Sequence, residues 1–67
     1  MPFELLFIRK PKHQPILAEP IAAATVDEAK ALAKLRLEEM ALKIAPPPDA
    51  VIVIEAETRE MLDVIER

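Results

Sequence analysis

A chain of 67 residues has room for one domain and one small core, in a size range where burial only narrowly outweighs chain entropy. An apolar content of 52% is that of a folded chain, whereas the net charge of -3 lacks the basic excess of a protein that binds nucleic acid by counterion release. The absence of Gly, Ser and Cys removes phosphate-cradling glycine loops, the ordinary acyl-transfer nucleophiles and any disulfide, and one His without Cys makes no structural zinc set. No cofactor is expected, and a domain this small without staples is expected to rely on regular packing or on oligomerisation.

Residues 3–10 read as a strand, with Phe3, Leu5 and Phe7 on one face and Leu6 and Ile8 on the other. Apolar side chains on both faces predict a central position. The run Leu5–Ile8 is too short to span a membrane and, lacking a basic leader, is no signal peptide, so the expected location is cytoplasmic. Pro11 and Pro15 bracket a turn. The basic residues Arg9, Lys10, Lys12 and His13 gather there, a tip that offers nucleic-acid or phosphate binding as one alternative function. A second extended stretch covers 16–22, and Pro20 within it predicts an edge strand, where a missing amide costs least.

Thr25-Val26-Asp27-Glu28 has the form of a capping box, so a helix is predicted from about 26 to 44, ended by Pro46-Pro47-Pro48. Val26, Ala29, Ala33, Leu37, Met40 and Ile44 make its main apolar stripe. Ala31, Leu32, Leu35 and Leu42 fall away from it and need either a terminal helix or a partner to cover them. Residues 51–56 open with four β-branched residues and read as the clearest strand in the chain. Glu55, Glu57 and Glu60 could in principle hold a divalent cation, but their spacing matches no recognised ligand set, and no metal is expected. Thr58 then caps a predicted short helix over 59–66, with Met61, Leu62 and Ile65 on one side.

The predicted fold is a single α+β domain, β-β-α-β-α, with a three-stranded sheet in the order 2-1-3, one long helix on it and a short C-terminal helix. In that arrangement strand 51–56 is an apolar edge without a gatekeeper, which invites strand pairing. The functional expectation is a protein-interaction or homo-oligomerising domain whose contact surface comprises Leu32, Leu35, Leu42, Val51 and Val53, with a second copy or another protein as partner and no membrane.

A rival reading concerns Pro2, the one residue able to bring in chemistry that the composition otherwise excludes. The start Met1-Pro2, followed by a strand, a helix and Val51–Ile54, resembles the tautomerase family of small β-α-β oligomeric enzymes. The resemblance implies that removal of Met1 exposes Pro2 as a secondary amine acting as general base, with Arg9 as a contact for a substrate carboxylate. The segment 11–24 interrupts the family's pattern, and its Gly-Arg loop entering the helix is absent.

Overall fold

A computed structural model describes residues 2–10 and 14–67. Its elements follow the order β1 (Pro2–Arg9), β2 (Gln14–Ala22), α1 (Val26–Lys43), β3 (Ala50–Glu55) and β4 (Met61–Glu66). They form one four-stranded antiparallel sheet in the order β2-β1-β3-β4. Helix α1 lies across one face of it, over β1, β3 and β4.

This corrects the predicted three-stranded β-β-α-β-α fold. The segment expected as a terminal helix is the strand β4, and it occupies the edge that was assigned to β3. The eight residues of the predicted helix are too few to hold it by their own hydrogen bonds, while an unpaired β3 edge presents a row of backbone donors and acceptors. Local chemistry assists. The Glu55 carboxylate accepts from the Thr58 amide at 2.9 Å and the Thr58 hydroxyl at 2.8 Å, so Thr58 closes a turn instead of capping a helix. These hydrogen bonds hold the Glu55 pKa below the ordinary value.

The predicted interior of the sheet is otherwise recovered. β1 is central, and Pro20 lies in β2 at an edge. Backbone bonds from Arg67 to Asp49 and from Glu55 to Glu60 set the alternation of the ladder, so that odd-numbered residues of β3 bond to β4 and even-numbered ones to β1. By the same alternation Pro20 falls on the outward row of β2, where its missing donor interrupts no ladder.

The Thr25 hydroxyl accepts from the Glu28 amide at 3.1 Å, which starts α1 at the predicted capping box. The helix buries Ala29, Ala33, Leu37 and Met40 against Phe3, Leu5, Phe7, Val51 and Val53, and Ile21, Leu32, Ile44, Leu62 and Ile65 close the sides of this core. Leu62 is the extra residue of a bulge opposite Val53 and Ile54, which turns it toward the helix side together with Asp63.

Two ion-pair systems hold the flanks of the helix. Arg36 donates through Nε and Nη2 to both oxygens of Glu19 on β2, at 2.7 and 2.9 Å, and through Nη1 to Glu39 at 3.1 Å. Lys30 meets Asp63 of β4 at 3.6 Å on the other flank. The two-pronged Arg36 contact lowers the Glu19 pKa from its usual 4.5 and raises that of the guanidinium.

Two outcomes are expected. Leu37→Ala, which empties a site in the core, lowers the unfolding free energy by about 2–5 kcal/mol, whereas Leu35→Ala on the outer helix face changes it by less than about 0.5 kcal/mol; urea titration of both variants is the check. For Glu19, a depressed folded pKa means that its stabilisation is full above pH 4.5 and is lost as pH falls through the folded value. The urea midpoint of the wild type therefore exceeds that of Glu19→Gln at neutral pH, and the gap closes below pH 4.5; a gap independent of pH would remove the charge from the explanation.

Candidate functional site: the open face of the sheet

In an antiparallel sheet directly opposed residues point to the same side, so the pairing registers divide the strands into two faces. The face under α1 carries Phe3, Leu5 and Phe7 with their partners. The other carries three rows running across all four strands. The first is Pro20, Glu4, Ile54 and Met61; the second Ala18, Leu6, Ile52 and Val64; the third Pro15, Ile8, Ala50 and Glu66. Apart from Glu4 and Glu66 every one of these residues is apolar. No helix among the described residues lies on this side.

Both carboxylates on this face are met by cations of the same chain. Arg59, in the β3–β4 turn, reaches past β3 to place Nη1 3.0 Å from Glu4 Oε1 on β1. Lys10, at the end of β1, reaches past β3 in the opposite direction to Glu66 on β4. The two pairs therefore lie at the two ends of the face, in the outer rows. Ile54 is 7% exposed in one of those rows and Ile8 2% exposed in the other. The middle row has no charge on it, and Val64 at its β4 end is exposed, as is Met61 beside it.

The strand edges are guarded where the face is not. β2 has Pro15 and Pro20. On β4 the Val64 amide belongs to the outward row, and it donates to the Asp63 carboxylate at 2.9 Å. A carboxylate already seated on an edge amide opposes the docking of a foreign strand.

The expected contact residues separate in this structure. Val51 and Val53 are fully buried, in a strand paired on both sides, so the 51–56 edge is not available for pairing. This correction follows from β4, which takes the place that a partner strand would have filled. Leu32 packs against the core, while Leu35 and Leu42 stand on the outer side of the helix, 55% and 90% exposed. The terminal helix that might have covered them does not form.

At the basic tip, Arg9 Nη2 donates to the Pro46 carbonyl at 2.6 Å, and the Lys10 amide donates to Asp49 Oδ2 at 2.8 Å. Both residues are thus engaged within the chain. Lys12 and His13 lie outside the described residues. Pro2 is the first residue of β1, opposite Ala22, and Arg9 is the last. Seven steps of strand place them about 23 Å apart, too far to act on one small substrate in the way the tautomerase resemblance implies. Among the described residues no group of carboxylates and histidines is placed to hold a metal ion, and no helix is long and apolar enough to cross a membrane.

The open face was legible in part. Leu6 and Ile8 signalled a second apolar face on β1, but Ile52, Ile54 and Val64 join it only through the registers with β3 and β4. No known protein family, curated protein or solved structure matches the chain.

Asp63→Ala frees the Val64 edge amide while leaving the apolar rows unchanged. The variant is expected to scatter more light on concentration than the wild type, with an unchanged far-UV circular dichroism spectrum. Equal scattering would show that Asp63 is not what guards this edge.

Proposed function

We propose that the protein is a protein-interaction domain and that the open face of its sheet is the docking surface. The single observation that carries this reading is the uncharged middle row, Ala18-Leu6-Ile52-Val64, on a face that the fold's one described helix leaves uncovered. A contiguous apolar face rimmed by charged groups is the form that association surfaces take, with an apolar centre and a polar border. The rim here consists of Arg59–Glu4 and Lys10–Glu66. Guarded edges leave the face, not strand addition, as the route of contact.

A second surface, the outer helix side with Leu35 and Leu42, is favoured by their exposure. These two leucines stand two turns apart and are flanked by Glu38 and Lys34, whereas the middle row of the sheet carries no charge.

A photo-crosslinking amino acid placed in the protein inside its own cell tests the assignment. At position 64 it is expected to give discrete protein adducts on irradiation, and at position 34, on the flank of the helix, none. Adducts from position 35 with none from 64 would move the surface to the helix. No adduct from either would contradict an interaction role.

A further inference from the structure

We infer that β4 is an exchangeable strand: two copies of this chain trade it, each seating its β4 on the β3 of the other, to form a reciprocal dimer. The inference goes beyond the docking surface proposed above and does not depend on it.

β4 is seated against the interior without entering it. None of its six residues is buried, whereas every residue of β3 except Ile52 and Glu55 is. The ladder between the two strands is broken by the bulge at Leu62. The ion pairs Lys30–Asp63 and Lys10–Glu66 are exposed, a setting in which such pairs hold weakly. β2 has no buried residue either, but both oxygens of Glu19 are gripped by Arg36 of the helix. Local stability differs from element to element, and a strand with few buried groups opens before the rest of the fold.

The connection across 56–60 favours that opening. Arg59 has φ 63°, the left-handed conformation that suits glycine and disfavours a residue with a long side chain. In an extended connection Arg59 returns to the strand region, and short hinges that carry such strain favour exchange between copies. The bonds from Thr58 to the Glu55 carboxylate are exposed, so water replaces them when the turn opens.

What identifies the incoming strand is β4 itself. In this fold β3 receives one segment in one register, with Ile65 opposite Val51, Val64 opposite Ile52 and Asp63 opposite Val53, a bulge at Leu62 and a lysine of the helix to meet Asp63. The β4 of a second copy reproduces each of these contacts, as reciprocal exchange requires. It also brings its own guarded outer edge, the Val64 amide bonded to Asp63. The closed and exchanged forms thus share their contacts outside 56–60. Their balance is set by the effective concentration of a strand on a short tether, about millimolar, and the expected dissociation constant is about 0.1–10 mM.

The chain has no cysteine, so disulfides placed in it report strand pairing directly. Val51 and Ile65 are directly opposed and belong to the core beneath α1, so that cysteines at 51 and 65 of different chains meet only through exchange. Opposed Cα atoms are about 5.5 Å apart or closer, within disulfide reach. Val51→Cys and Ile65→Cys chains, purified separately, are mixed at about 1 mM, near the expected constant, with oxidised glutathione, and resolved on a non-reducing gel. A linked dimer is expected, at least about tenfold more abundant than from either variant alone. Arg59→Pro leaves the core untouched and forbids the positive φ; its sedimentation mass should exceed that of the wild type at about 1 mM and approach twice 7.5 kDa, with an unchanged circular dichroism spectrum. Folded cysteine variants that give no linked dimer overturn the exchange, as do equal yields from mixed and unmixed samples. So does a folded Arg59→Pro variant that stays at 7.5 kDa, which decides the matter alone if either cysteine variant fails to fold.

Discussion

Strand β1 is apolar on both faces, and the fold has one described helix with which to cover them. Phe3, Leu5 and Phe7 are met by α1, whereas Leu6 and Ile8 face the other way, into rows continued by Ile52, Ile54 and Val64. A helix is about 10 Å across, so it can screen the middle strands of one face and nothing of the opposite one. Each larger feature of the molecule follows from that shortage. The β4 strand widens the sheet and buries Val51 and Val53, but it also lengthens the uncovered rows.

Ion pairs take the place of a second layer at the ends of the open face. Arg59–Glu4 and Lys10–Glu66 both link the β1 side of the sheet to the β4 side. Exposed pairs of this kind contribute little to stability by themselves. Their consequence is positional: each sets a cation of the same chain against one of the two acids in the rows named above. On the helix side the roles are reversed. Arg36 and Lys30 anchor α1 to the two edge strands through Glu19 and Asp63, outside an apolar core that has no buried charge among the described residues.

Asp63 links these two sides. It meets Lys30 beside the helix, and its carboxylate also accepts from the amide of Val64 at the outer edge of β4. The same residue thus docks the helix and blocks the edge. With both edges guarded and one face covered by α1, the opposite face is the part of the sheet that no described helix overlies.

Local chemistry in the chain determined several elements before any tertiary contact. Alternation in residues 3–10 specified a strand with two apolar faces, Thr25 and Glu28 marked where the helix begins, and Pro20 required an edge. Of the stripe Val26, Ala29, Ala33, Leu37, Met40 and Ile44, the four middle residues are the buried face of α1, Ile44 packs at its side and Val26 is exposed. The tertiary structure decided the fate of residues 59–66. Their apolar spacing suits a short helix as well as a bulged strand, and only the vacant ladder of β3, with the turn closed by Glu55 and Thr58, selects the strand. Pairing register is likewise a property of two segments together. That is why Ile52 and Val64 could not be placed beside Leu6 from the sequence alone, and why Val51 and Val53, expected at an exposed edge, lie in the core: a strand's neighbours are set by long-range hydrogen bonding, which no local pattern of residues contains.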